Sequence, residues 1–199
     1  MDAAPAPQLL AYLDAMLAAN EHVNLTAIRD RAQALGLHVA DSLALGRARL
    51  APRTCLDLGS GNGFPGVALH FLHPAAEVVL MERTHKKARA IERCLGQAGI
   101  TGVRVVCVDA AQAPALHPEL RAHFDLVTAR AVGEPEQVAR LAMPLLARDG
   151  VLALWLEAGA AVAPELAQSL ICVQQFGYEL PAPAARSRKI ALYARPRAR

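Results

Sequence analysis

Aromatic residues are scarce: one Trp, three Tyr and four Phe make up 4% of 199 residues. A sheet that reads unpaired bases by stacking them on its own rings, as an RRM does, is therefore not expected. Cysteine is also sparse, and Cys55, Cys94, Cys107 and Cys172 form no C-x-x-C pair. That excludes a short secreted disulfide framework and reads as reduced thiols in a cytosolic protein, Cys55 and Cys107 being small hydrophobes within core strands. No apolar run reaches the ~18 residues of a membrane span. The opening MDAAPAPQLLAYLDAM lacks the basic n-region and cleavage pattern of a secretory signal. Charged residues, at 20% against 54% hydrophobic, are too few for a disordered chain, and the length suits one domain with a small appendage.

What charge there is lies unevenly. The net charge is +3, but Arg186, Arg188, Lys189, Arg195, Arg197 and Arg199 crowd the last fourteen residues without an acid, so residues 1–185 net to −3. The pattern is a near-neutral body with a basic terminus, either a solvated tail or a phosphate-facing segment.

Leu9, Leu10, Leu13 and Leu17 predict an amphipathic helix from Pro7 to about Asn20, and a second helical segment is expected from about Asp30 to Leu50, closed by Pro52. Beyond Arg53 the pattern changes. Strands are expected at Thr54–Leu58, Val78–Glu82, Val103–Val108, Phe124–Thr128 and Val151–Trp155. Helices are expected between them at about Pro65–Leu72, Lys86–Ala98, within Pro114–His123, and at Glu134–Leu146. Continuous apolar strands separated by helices predict an α/β fold, a doubly wound, mostly parallel sheet covered on both faces. A helix from Pro164 to about Ser169 and a terminal antiparallel pair, Val173–Leu180 and Lys189–Ala194, complete it. The expected organisation is a helical extension, 1–52, packed on a main domain, 53–199.

Leu56-Asp-Leu-Gly-Ser-Gly-Asn-Gly-Phe-Pro-Gly66 follows the first strand and opens a helix. Gly59, Gly61 and Gly63 allow a tight turn and close approach of a ligand. Two registers fit. Gly61-Asn-Gly63-Phe-Pro-Gly66 spells the G-x-G-x-x-G that holds a pyrophosphate at a helix N-terminus, which makes an NAD-linked dehydrogenase an alternative. The register Asp57-x-Gly59-x-Gly61-x-Gly63 instead puts a carboxylate at the strand end. That sign of charge suits a cationic, phosphate-free cofactor such as S-adenosylmethionine and favours the second register. Glu82, about 20 residues on, is placed to accept two ribose hydroxyls under either reading. Asp109, ending the third strand, is a weaker candidate at the same sheet edge.

Taken together, these segments resemble the bacterial 16S rRNA guanine-N7 methyltransferase family (RsmG, or GidB), from about Leu9 to Tyr193. Asn24-Leu-Thr26 and His38-Val-Ala-Asp-Ser42 resemble the family's N-L-T and H-x-x-D-S segments. Gly59-Ser-Gly-Asn-Gly-Phe-Pro-Gly66 is similar to its G-[ST]-G-x-G-x-P-G, and Thr128-Ala-Arg-Ala131 lies where it carries S-R-A. The resemblance implies a class I, Rossmann-like methyltransferase fold, S-adenosylmethionine as cofactor, and contacts to it from Gly59, Phe64, Ala110, Ala111 and Arg130. It also implies 16S rRNA or the small ribosomal subunit as partner, with a site of the G527 type, in a cytoplasmic protein expected to be a monomer. The chain departs from the family at Ala19, Val23 and Ala111, and after strand five, where Trp155-Leu-Glu-Ala-Gly159 replaces a Lys-Gly; it also begins about one helix later.

Methylation at guanine N7 meets an in-plane lone pair with no proton to remove. No general base is needed, and catalysis reduces to positioning. His38 and Asp41, three apart on one helical face, and Arg130 are the candidates for that task; a structural pair is the equal alternative for the first two. Lys86, Lys87, Arg89, Arg186, Arg188 and Lys189 are candidate phosphate contacts, so RNA affinity should be salt-sensitive. His70 and His73 lie three apart without a completing ligand, and no metal site is expected. A noncatalytic, cofactor-sensing RNA-binding module is the third reading of the same residues.

Overall fold

The computed structural model describes residues 5–196, so Arg197 and Arg199 of the basic terminus lie outside the described residues. Helix α1 (Pro7–Val23) starts with proline at its first turn and stops where Asn24 turns left-handed, φ 54°. Its buried stripe, Leu9, Tyr12, Leu13, Met16 and Asn20, packs chiefly on the helix of residues 85–97. The next segment is one helical rod with changing pitch. Helix α2 (Arg31–Ala34), capped by Asp30, runs into a π-helical turn (Leu35–Ala40), then α3 (Asp41–Leu43) and a 3-10 turn (Ala44–Ala48). The wide turn carries His38, and both His38 and Asp41 are buried.

Eight strands form one sheet in the order β3-β2-β1-β4-β5-β8-β7-β6. They are β1 (Thr54–Leu58), β2 (Glu77–Met81), β3 (Val103–Val106), β4 (Phe124–Ala129), β5 (Leu146–Glu157), β6 (Glu165–Leu166), β7 (Leu170–Glu179) and β8 (Ser187–Ala194). The first five are mutually parallel; β8 runs antiparallel between β5 and β7. Between the strands lie α4 (Gly66–Leu72), α5 (His85–Gln97), α6 (Ala113–Leu116) with a 3-10 turn at Pro118–Leu120, and α7 (Pro135–Ala142). Strand alternation feeds two cores. Cys55, Val78, Leu80, Leu126 and Ile190 share one core with the buried faces of α1, α4, α5 and the rod, while Leu56, Val79, Val127, Leu152 and Tyr193 share the other with α6 and α7.

The expected doubly wound α/β fold with an antiparallel end is present, with local corrections. Residues 164–169 are not helical: Ala167 and Gln168 are both left-handed, φ 50° and 53°, and make the turn between β6 and β7. The helix expected to reach Leu146 stops at Ala142, because β5 begins at Leu146 and shifts register against β4 before Val151. Strand β3 ends at Val106, which leaves Cys107 outside it, half-buried, with Sγ 3.3 Å from His85 Nδ1. The basic terminus is no frayed tail as far as it is described, because Arg188 and Lys189 belong to β8.

Candidate functional site

Strand order reverses between β1 and β4, and in open α/β sheets that switch point marks the ligand crevice, at the carboxyl ends of the strands. A cleft of about 770 Å³ opens there, lined by the segments that follow β1, β2, β3 and β4 and closed on one side by the His38 turn. The amides of Gly59 and Ser60 both donate to the Met81 carbonyl at 2.9 Å, which ties the glycine turn to β2. The Glu82 carboxylate receives the Gly61 amide at 2.9 Å on one oxygen and the Thr84 amide at 2.8 Å on the other. Glu82 is buried yet borders the cleft, its remaining lone pairs available to hydroxyls.

The cleft brings together most of the residues singled out above: Gly59, Gly61, Phe64, Glu82, Asp109, Ala110, Ala111 and Arg130, with His38 and Asp41 behind them. Apolar Leu58, Met81, Val108, Val132 and Leu141 line it as well. The side chain of Asp109 is turned to its own loop, taking the Ala111 amide at 2.9 Å and standing 3.8 Å from Arg83.

Asp57 and Gly63 do not face the cleft. Asp57 is buried beneath the turn, one carboxylate oxygen accepting the Thr128 hydroxyl at 2.8 Å and the other lacking a hydrogen-bond partner among the described residues. Burial pushes its carboxyl up to about 6, against the pull of Thr128, Ser60 and the more distant Arg130. The expectation that it meets a cationic ligand directly is therefore corrected: Asp57 braces the loop from below. Gly63 packs on α1, where a Cβ would stand 1.9 Å from the Tyr12 hydroxyl, and Tyr12 donates to the Asn62 carbonyl at 3.0 Å. Gly66 likewise presses on Asp57 and Leu80. Two of the three glycines in the dinucleotide register are thus filled by protein.

Arg130 is the hub. From the end of β4 its guanidinium donates to Asp41 at 2.8 Å, to the Leu37 carbonyl at 3.0 Å and to the Phe64 carbonyl at 3.1 Å, so one side chain joins the π-helical turn to the glycine loop. His38 stacks on Phe64, with ring centroids 5.8 Å apart at 12°, and its ring nitrogens meet Thr26 and Asn62. Burial, helped by the neighbouring Arg130 charge, lowers His38 to about 3, which keeps it neutral at physiological pH. The side chains of His38 and Asp41 do not pair with each other; both meet at Arg130.

Asp41 also takes the Tyr178 hydroxyl at 2.5 Å and stands 3.4 Å from Arg188 Nε, while its backbone carbonyl receives Trp155 Nε1 at 2.9 Å. Tyr12, Asn62, Trp155 and Tyr178 are supports that the sequence reading did not single out. Each is an ordinary core or loop residue by pattern, and only the fold brings it here. Of the expected phosphate contacts, Lys87, Arg186 and Arg188 border the cleft. Lys86 instead donates to the His22 carbonyl and Lys189 to the Ala160 carbonyl, and Arg89 is exposed on α5.

Among the described residues, no cluster of three His, Cys, Asp or Glu side chains has metal-binding geometry, and no helix is long and apolar enough to cross a membrane. The sheet order and the crevice at its switch point define a protein with the class I methyltransferase fold. Solved structures of similar shape include a variant of MtNAS in complex with S-adenosylmethionine (TM-score 0.59, 18% identity, covering 95% of this chain and 72% of that one). TrmN from Thermus thermophilus is another (TM-score 0.59, 19% identity, 79% and 48%). In sequence, residues 6–174 match the GidB family, rRNA small subunit methyltransferase G, and the chain belongs to that family. Curated relatives named ribosomal RNA small subunit methyltransferase G include that of Chloroflexus aggregans, 38% identical over 146 residues. Those of Stenotrophomonas maltophilia and a Roseiflexus species are 38% identical over 152 residues and 35% over 175. The matches span 73%, 76% and 85% of this chain, and 61%, 69% and 72% of the respective relatives.

Proposed function

We propose that this protein transfers a methyl group from S-adenosylmethionine to N7 of a guanine in 16S rRNA, within free rRNA or the small ribosomal subunit. The observation that carries the reading is the joining of Glu82 to an open Gly59–Gly61 turn at the sheet's switch point, in a chain of this family. The residues present suit the cofactor. A Cβ on Gly61 would meet nothing closer than 3.8 Å, so the turn leaves room for a ligand, and Glu82 offers carboxylate lone pairs to ribose hydroxyls. Backbone at Ala110 and Ala111 and the apolar wall of Met81 and Val108 suit an adenine ring. When bound, the cofactor supplies an electrophilic methyl group and a neutral thioether leaving group.

This chain's residues then bind and orient. Arg130 fixes the position of the Phe64 carbonyl and hence of the loop that borders the reacting centre. His38, neutral and with both ring nitrogens engaged, orients Phe64 and abstracts nothing. Lys87, Arg186 and Arg188 ring the cleft and receive the RNA backbone. The dinucleotide alternative is disfavoured by the packing of Gly63 and Gly66, whose faces are covered by Tyr12 and Asp57.

Mapping N7-methylguanine in 16S rRNA from cells with and without the protein tests the reading. One guanine should lose its methyl group when the protein is absent and regain it on addition of protein and S-adenosylmethionine. An unchanged methylation map, or calorimetric binding of NADH but not of S-adenosylhomocysteine, would overturn it.

A further inference from the structure

The guanidinium of Arg188 is unevenly satisfied. It borders the cleft with its side chain 14% exposed, and among the described residues it makes one hydrogen bond, to Glu157. On its inner side Asp41 Oδ1 stands 3.4 Å from Nε without bonding it. Glu157 is different in kind. It ends β5, lies directly across the ladder from Arg188, and its side chain is 66% exposed. An exposed carboxylate on a guanidinium is weakly held, because water solvates it nearly as well. A buried one such as Asp41 keeps the arginine in place when the outer partner leaves. The outer edge of Arg188 is therefore a planar fork of donors, matched to a phosphate and covered by one exchangeable anion.

We propose that Glu157 is a resident stand-in for RNA phosphate: it covers the outer edge of Arg188 in the RNA-free protein and is displaced by a backbone phosphate of the bound strand. This rests on the RNA reading above and adds to it a residue that sets affinity by competing for the site. Lys189, one residue on, donates to the Ala160 carbonyl and holds the turn that follows Glu157, so the carboxylate is presented by a tethered segment. Arg186, two residues before Arg188, also borders the cleft and extends the strip along which a strand's phosphates would lie.

The test measures binding of a short fluorescein-labelled single-stranded oligoribonucleotide by anisotropy across salt concentrations, beside calorimetry with S-adenosylhomocysteine. Glu157→Gln should tighten RNA binding about two- to fivefold, the range an exposed ion pair supplies, with S-adenosylhomocysteine affinity unchanged. Arg188→Gln should weaken RNA binding and lower the salt slope by about 0.7, the loss of one single-strand phosphate contact. In the Arg188→Gln background, Glu157→Gln should then have no effect. Should Arg188→Gln fail to fold, Arg188→Lys keeps a charge for Asp41 without the fork, and the gain from Glu157→Gln should shrink there too. A Glu157→Gln protein that binds RNA like wild type, or the same gain in both Arg188 backgrounds, would overturn the inference while leaving the RNA reading intact. Wild-type protein that binds no RNA even at low salt would overturn both.

Discussion

Gly59, Gly61 and Gly63 all hold positive φ, at 73°, 55° and 90°, yet a methyl group added at each meets different surroundings. At Gly63 it would fall on the fixed, buried ring of Tyr12; at Gly59 it would meet Val132 Cγ2 at 2.9 Å, the end of a side chain that can turn. Gly63→Ala should therefore displace α1 and cost upwards of about 3 kcal/mol in urea denaturation, combining backbone strain with overpacking. Gly59→Ala should cost about 1–2 kcal/mol for the left-handed backbone, leave the fold standing, and show its main effect as weakened S-adenosylhomocysteine binding in calorimetry. Equal losses of stability in the two variants would contradict this division. At this scale the sequence located the turn, Glu82 and Arg130, because strand ends and glycines are read directly from pattern. It misplaced Asp57, since a strand-end acid looks the same in sequence whether its Cβ points to the crevice or to the next helix.

The rod from Arg31 to Ala48 is an element whose pitch matters more than its helicity. Its wide π-helical turn brings His38 and the Leu37 carbonyl to Arg130, and α3 brings Asp41. Sequence periodicity sees a helix there and does not resolve a single wide turn within it. Strands β1, β2 and β4 were legible because parallel, doubly covered strands are continuous apolar runs. The β6–β7 turn was not, because Ala167 and Gln168 carry no left-handed signature. Arg130→Ala, which from sequence reads as a ligand-binding lesion, has a second consequence at this scale. It removes one of the two cations beside buried Asp41, which keeps Arg188 and the Tyr178 hydroxyl, and unties β4 from the rod, so about 1.5–3 kcal/mol should be lost. Melting temperature and S-adenosylhomocysteine affinity should fall together; a loss of affinity with an unchanged melting temperature would show that the tie is not structural.

Across the whole molecule, two buried groups set opposing pH dependences. His38 titrates at about 3 in the fold against 6.5 unfolded, so the unfolded chain binds its proton first and stability rises with pH between about 3 and 6.5. Asp57 titrates at about 6 against 3.8, so the folded chain holds its proton longer and stability falls as pH rises between 3.8 and 6. The two slopes offset each other over much of that interval. Asp57→Asn should remove the second alone, and its melting temperature should climb with pH between 4 and 6 more steeply than that of the wild type. Parallel profiles for the two proteins would exclude this assignment.

Strand β8 has a consequence for how the polypeptide is made. Among the described residues it is the last strand in chain order, but it lies inside the sheet between β5 and β7 and brings Arg188 against Asp41 and Glu157. A nascent chain that has not yet released residues 187–194 leaves the far edge of β5 unpaired and the wall beside Arg130 without its second arginine. The crevice thus reaches its final shape only once residues 187–194 have joined the sheet, and a chain stopped before residue 187 would keep its glycine turn but lack the wall that carries Arg188.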